Sequence, residues 1–153
     1  MSYDPDTGIF RWKIKPRPQS NIGDIAGGPH KEGYWSIAVD GKRYLRHRLA
    51  WLYMTGSFPT VLIDHDDKNR SNDKWSNLRE ADKSQNAANS SAHKDSSSGL
   101  KGVYWSSQKS KWIARVSLKG KHYHLGCFSD PIVAKQAYDV AAQKLFGAYA
   151  RST

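Results

Sequence analysis

The sequence predicts an α+β chain of two small units, the second a three-stranded antiparallel sheet packed on one helix. Three observations carry this. Residues 111–118 and 121–128 alternate apolar and polar side chains with a period of two, on either side of Lys119-Gly120. After them Asp130-Pro131 reads as a helix cap followed by Pro at the first helical position, and Ala134, Ala137, Tyr138, Ala141, Ala142 and Leu145 fall on one helical stripe. A Ser-rich stretch without apolar periodicity, SSAHKDSSSG at Ser90–Gly99, separates this region from the rest. The expected organisation is a first domain over 1–89, a linker over 90–98 and a second domain over 99–153.

The first domain opens with a turn, Asp4-Pro5-Asp6-Thr7, and a short strand signal, Gly8 to Trp12. Tyr34 to Val39 and Lys42 to Leu45 flank Asp40-Gly41, a strong two-residue hairpin signal. His47 to Met54 reads as a helix that Gly56 and Pro59 stop. Residues 83–89 read as a further short helix. In the second domain the alternation places Trp112, Ala114, Val116 and Leu118 on one sheet face and Lys111, Ile113, Arg115 and Ser117 on the other. In the next strand Tyr123, Leu125 and Cys127 share the apolar face, with His122 and His124 opposite, so Cys127 is expected in the core. An alanine-lined helix lies close on the apolar face and leaves the basic face open.

Charge narrows the partner. The 153 residues carry 24 Lys and Arg against 14 Asp and Glu, a formal net charge of +10. Residues 99–153 hold nine basic and two acidic residues, so most of the excess sits in the last third. That asymmetry points to a polyanion, with double-stranded DNA the expected partner. No run approaches the ~20 apolar residues of a membrane span, so no membrane role is expected. The opening MSYDPDTG lacks the layout of a signal peptide, and one cysteine cannot form an internal disulfide. Together these predict an intracellular, cytoplasmic protein; its protein partners are unknown.

The segment from Ile63 to Arg79 concentrates reactive side chains: an Asp64-His65 pair, a polar loop and Asn77-Leu78-Arg79, with Asn86 following on the short helix. Phosphodiester hydrolysis needs a base for water and a cation for the developing charge. His65 is a candidate base, since a free imidazole titrates near neutrality. Asp64 and Asn86 offer hard oxygen ligands suited to Mg²⁺ or Mn²⁺.

These residues carry a resemblance. His47-Arg48-Leu49-Ala50-Trp51, Ile63-Asp64-His65, Asn77-Leu78-Arg79 and Gln85-Asn86-Ala87-Ala88-Asn89 resemble, in order, the phage-type HNH homing endonucleases whose third motif position is Asn. The resemblance implies a ββα-metal nuclease domain with its motif core over about 44–89. It implies Asp64 and Asn86 as ligands of one divalent cation, His65 as general base, and Asn77 as the residue bracing the hairpin that presents His65. His47 matches a recurrent His of this group and is read as a helix-start packing or phosphate-contact residue. Arg48, Arg70 and Arg79 are candidate phosphate contacts.

Residues 98–153 are similar to a different family. Ser98 to Trp105, Lys111-Trp112-Ile113-Ala114, Leu125 to Phe128, Ala137-Tyr138-Asp139 and Phe146-Gly147-Ala148 resemble the Apetala/ethylene-response-factor (AP-two/ERF) DNA-binding domain. That domain reads the major groove from the free face of its sheet. The resemblance makes Lys101, Tyr104, Lys111, Arg115, Ser117, His122 and His124 the expected DNA-binding set. The whole chain is then expected to be a metal-dependent DNA endonuclease that nicks or cleaves, targeted by its C-terminal domain. The alternative is a non-catalytic sequence-specific DNA-binding regulator on a degenerate HNH scaffold.

Overall fold

The computed structural model describes residues 1–90, 92 and 96–150. They group into two compact units, Met1–Ala81 and Asp82–Thr153. The division comes earlier than the Ser-rich stretch expected as a linker. Of that stretch, Ser91 and residues 93–95 lie outside the described residues.

The first unit is assembled from small antiparallel pieces. Strand β1 (Ser2–Asp4) pairs with β2 (Ile9–Arg11). Strands β3 (Gly28–Pro29), β4 (Trp35–Val39) and β5 (Lys42–Leu45) form a sheet in that order. Asp40 and Gly41 both take positive φ between β4 and β5, the conformation that a tight hairpin turn demands. Helix α1 (Arg46–Thr55) follows directly and ends at Gly56, whose left-handed backbone donates its N–H to the Leu52 carbonyl. Strands β6 (Leu62–His65) and β7 (Leu78–Ala81) form the last hairpin, with His65 opposite Leu78 and Asp64 opposite Arg79. Tyr3, Phe10, Ala26, Ile37, Leu49, Ala50, Ile63 and Leu78 make one buried cluster, drawing on nearly every element of the unit.

The second unit begins with α2 (Lys83–Asn89), whose cap is a reciprocal box between Asp82 and Gln85. Strands β8 (Val103–Ser106), β9 (Lys111–Leu118) and β10 (Lys121–Phe128) form an antiparallel sheet with β9 central. Helix α3 (Pro131–Phe146) starts at Asp130, whose side chain accepts from the Ile132 N–H at 2.7 Å. Ala114 and Ala134 are fully buried, so helix and sheet approach closely. The inward stripe of α3 runs through Ala134, Tyr138, Ala142 and Phe146; Leu145, expected on it, is 41% exposed. Helix α2 packs here too, with Ala88 in one cluster with Val116, Tyr138, Ala142 and Phe146.

One register feature reverses an expectation. Between His124 and Gly126 the pairing of β10 with β9 slips by one residue, so that His124 faces Arg115 while Gly126 faces Ala114. Leu125 is the extra residue of this bulge, and everything beyond it changes face. Cys127 therefore pairs with Ile113 on the face away from α3, not in the core.

Two glycines of this unit separate conformational strain from crowding. Both Gly102 and Gly120 have positive φ, but a Cβ on Gly102 would sit 2.1 Å from the Tyr138 ring while one on Gly120 would meet open space. Gly120→Ala is expected to cost about 1–2 kcal/mol, the left-handed penalty alone. Gly102→Ala is expected to cost about 1–3 kcal/mol more through overpacking. Denaturant midpoints of the two variants check the difference.

Candidate functional site

Neighbouring residues on a strand point to opposite faces, so the Asp64-His65 pair on β6 divides. Asp64 shares its face with its cross-strand partner Arg79, whose Nε and Nη2 donate to Oδ2 at 3.2 and 3.1 Å. Arg79 also holds Asp66 through Nη1 at 2.6 Å. This guanidinium is thus engaged by two carboxylates, where the sequence suggested a phosphate contact.

His65 meets Asp73 on the other face. Its Nε2 lies 2.8 Å from Asp73 Oδ1, and both residues are almost fully buried. The second carboxylate oxygen of Asp73 accepts from Arg46 Nε, and its backbone carbonyl accepts from the Tyr3 hydroxyl at 2.7 Å. Arg46 is itself fixed, donating from Nη2 to the Ser71 carbonyl at 2.7 Å and lying 4.7 Å from the centre of the Trp35 ring. Burial, then the adjacent Asp73 carboxylate, pushes the Tyr3 phenol well above its ordinary range, so it stays a donor. Gly8 makes room for this packing: at φ +73, a Cβ there would stand 2.4 Å from the Asp73 carbonyl carbon.

His47, one residue along α1 from Arg46, completes the cluster. Its ring lies 5.0 Å from that of His65, edge to face, and 5.4 Å from that of Tyr34. Its Nδ1 is buried and has no hydrogen-bond partner. Burial, with the neighbouring His65 next, lowers its pKa to about 4, so the ring is neutral near pH 7. One ligand atom each from His47, His65 and Asp73 lie within 4.8 Å of one another. A buried neutral imidazole with an unsatisfied nitrogen, beside a second imidazole and a carboxylate, is donor chemistry that fits a divalent cation. Two nitrogens and one oxygen suit an ion of borderline softness better than Mg²⁺.

Asn77 ties the loop between the hairpin strands at both ends. Its Nδ2 donates to Asp67 Oδ1 at 2.9 Å and to the Asn72 carbonyl at 2.7 Å, while its Oδ1 accepts from the Asp67 N–H at 3.0 Å. Burial works to raise the Asp67 pKa, but hydrogen bonds from Asn72, Asn77 and Asn69 outweigh it and leave the carboxyl below its usual value. Asn86 is exposed on α2, in the second unit. Arg70 pairs with Glu32 at 3.0 Å and lies over the Tyr34 ring. Arg48 is half-buried, donating to the Pro59 carbonyl at 3.3 Å.

On the sheet of the second unit, the register puts Tyr104, Lys111, Arg115, Ser117, His122 and His124 on the face away from α3. Arg115 lies 5.3 Å from the centre of the Tyr104 ring, and Ser117 Oγ is 2.7 Å from His122 Nδ1. Cys127 joins this face, its sulfur 3.7 Å from His124 Nε2 and 3.8 Å from Lys109 Nζ. Lys101 does not: its ammonium donates to the carbonyls of Ala87, Ala88 and Ser90 and closes the C-terminal end of α2. Sequence reasoning missed Asp73 as a site residue. The segment 64–73 offers four aspartates, and nothing in their order marks the one that is buried.

Residues 44–88, the segment that holds this arrangement, match the family described as HNH endonuclease. All of His47, Asp64, His65, Asp73 and Asn77 lie within the match. The chain is 38% identical over 80 residues to Protein 3.8 of Escherichia phage T7, an overlap of 52% of this chain and 66% of that protein. It is 34% identical over 122 residues to an uncharacterized HNH endonuclease of Acanthamoeba polyphaga mimivirus, an overlap of 78% of this chain and 62% of that protein. The chain thus spans slightly under two thirds of each relative's length. No solved structure matches it. No helix among the described residues is long and apolar enough to cross a membrane.

The buried neutral His47 makes acid stability informative. A histidine whose folded pKa falls from 6.5 to about 4 contributes stability above pH 6.5 that is lost as pH falls through 4. Over that window His47 is expected to account for about 3 kcal/mol of acid destabilisation in the presence of EDTA. Urea unfolding of wild type and His47→Leu at pH 7 and pH 4 measures it; the variant's stability should fall less between the two.

Proposed function

We propose that this chain is a metal-dependent DNA endonuclease of the homing type. Residues 44–88 cut or nick the phosphodiester bond, and the C-terminal AP-two/ERF-like sheet holds the duplex. The observation that carries the reading is the buried His65–Asp73 contact inside the segment that matches the HNH family. A carboxylate desolvated against one imidazole and one guanidinium is costly to build, and such groups gather at functional sites.

In this reading His65, paired through Nε2 with Asp73, is the base that takes the proton of the attacking water. Asp73 is a positioning residue, balanced by Arg46 on its other oxygen. Asn77 keeps the loop that carries Asp73 closed against the hairpin. A divalent cation, when bound, stabilises charge on the phosphate oxygens as a Lewis acid. Asp64 is the proposed oxygen ligand of the first unit, carried over from the resemblance, for Mg²⁺ or Mn²⁺. A second reading places a softer divalent ion on His47, His65 and Asp73, favoured by the unsatisfied His47 Nδ1.

Supercoiled plasmid incubated with Mg²⁺, Mn²⁺ or Zn²⁺, against EDTA, tests the activity. Nicked or linear product is expected only with a cation. His65→Ala is expected to slow cleavage by about 10²–10⁴-fold while duplex binding persists. Calorimetry without DNA separates the two metal readings: Asp64→Ala weakens binding in the first, His47→Ala in the second. Cleavage in EDTA, or His65→Ala cutting at the wild-type rate, would sink the mechanism. Duplex binding with no cutting would leave the non-catalytic regulator.

The targeting role is tested on Arg115, exposed on the open sheet face beside Tyr104. Arg115→Ala is expected to lose about 1–3 kcal/mol on the target duplex and less on a scrambled one, as bidentate base contact requires. Equal loss on both in a titration assigns Arg115 to phosphate alone.

A further inference from the structure

Residues 1–81 carry 13 basic and 10 acidic side chains. Four of the basic ones, Arg11, Lys13, Lys15 and Arg17, lie within residues 9–22, which contain no acid. Without them the unit would carry nine basic against ten acidic residues. A unit that must approach a DNA phosphate draws its whole positive balance from this one segment.

The segment is a closed arm on a braced neck. Strand β2 leads into it, and the Trp12 N–H donates to the Asp24 carbonyl at 3.0 Å while the Gly23 N–H donates to the Trp12 carbonyl at 2.8 Å. Arg11 faces Ile25 in a bridge, and its guanidinium donates to the Gly23 carbonyl at 2.9 Å. Trp12 packs partly against the core. Beyond the neck, Lys13, Lys15 and Arg17 are exposed, and Ile14 between the lysines is 72% exposed. Pro16 and Pro18 remove backbone freedom from the loop.

The charges of the arm are also unspent. Elsewhere in the unit Arg46 is bound to Asp73, Arg79 to Asp64 and Asp66, and Arg70 to Glu32. Among the described residues Lys13, Lys15 and Arg17 make no ion pair. The arm springs from the β1–β2 hairpin, whose turn touches the chain around Asp73: Gly8 packs on the Asp73 carbonyl and the Trp75 N–H donates to the Pro5 carbonyl. A basic arm is thereby fixed to the same frame as the candidate centre.

We infer that residues 13–17 form a DNA-backbone clamp, in which Lys13, Lys15 and Arg17 bind duplex phosphates without regard to sequence and hold the substrate for the nuclease unit. This rests on the DNA reading given above. Three phosphate contacts release their counterions, each contributing about 0.9 to the slope of log affinity against log salt.

The test is a fluorescence-anisotropy titration of the full chain with a labelled duplex in EDTA, over a range of salt concentrations. The triple variant Lys13→Gln, Lys15→Gln, Arg17→Gln is expected to reduce the salt slope by about 2–3, equally on target and scrambled duplexes. It should unfold at the wild-type temperature, because the three side chains are exposed. Lys31→Gln with Lys42→Gln removes two exposed charges elsewhere on the unit and is expected to change the slope by less than about 1. An unchanged slope in the triple variant overturns the clamp while leaving the nuclease reading standing. A reduction no greater per charge than that of the Lys31/Lys42 control reduces the arm to general charge and overturns it as well. A loss seen with an RNA hairpin but not with duplex DNA assigns the arm to RNA and overturns it. Failure of the wild type to bind any duplex fails the DNA reading itself.

Discussion

The buried carboxylate of Asp73 is the constraint on which the first unit depends. An isolated charge in the interior costs several kcal/mol, and only good partners on both oxygens offset it. Here His65 takes one oxygen and Arg46 the other, while Tyr3 takes the backbone carbonyl. Those partners come from β6, α1 and β1, so satisfying this one residue, carboxylate and backbone carbonyl together, requires three elements and a loop to assemble. The unit's small sheets share no continuous ladder, and this polar node joins what the apolar cluster alone would pack loosely.

The same node sets the chemistry. Strand alternation points Asp64 and His65 to opposite faces of β6, and the hydrogen-bond partner of His65 comes from the loop. Asn77 holds that loop through three hydrogen bonds. Among the described residues, His47 contributes the one buried side-chain nitrogen left without a partner.

The second unit solves a different problem, that of keeping one sheet face open. Small residues let α3 close on the other face, and Lys101 turns inward to end α2 instead of adding to the exposed charge. Alternation in β10 keeps His122 and His124 outward, and the bulge brings Cys127 onto the same face, beside His124. A single extra residue in the strand thus changes which side chains a ligand on that face would meet.

Much was legible in the chain itself. Periodicity gave β9, most of β10 and α3, Asp40-Gly41 gave the β4–β5 turn, and Gly56 gave the end of α1, because these depend on local backbone preference. The Asp64-His65 and Asn77 positions stood out for the same reason: residue type and spacing mark them. What the sequence left open were the facts that need two distant segments at once. Asp73 is one aspartate among four until Arg46 and His65 close on it; Lys101 is a surface lysine until α2 ends against it. Cys127 belongs to the core by alternation, and only the register against β9 moves it to the other face. Local signals act over a few residues and survive in the sequence. Burial, partner choice and register are decided by the energy of the assembled whole, so they appear only when the chain is folded.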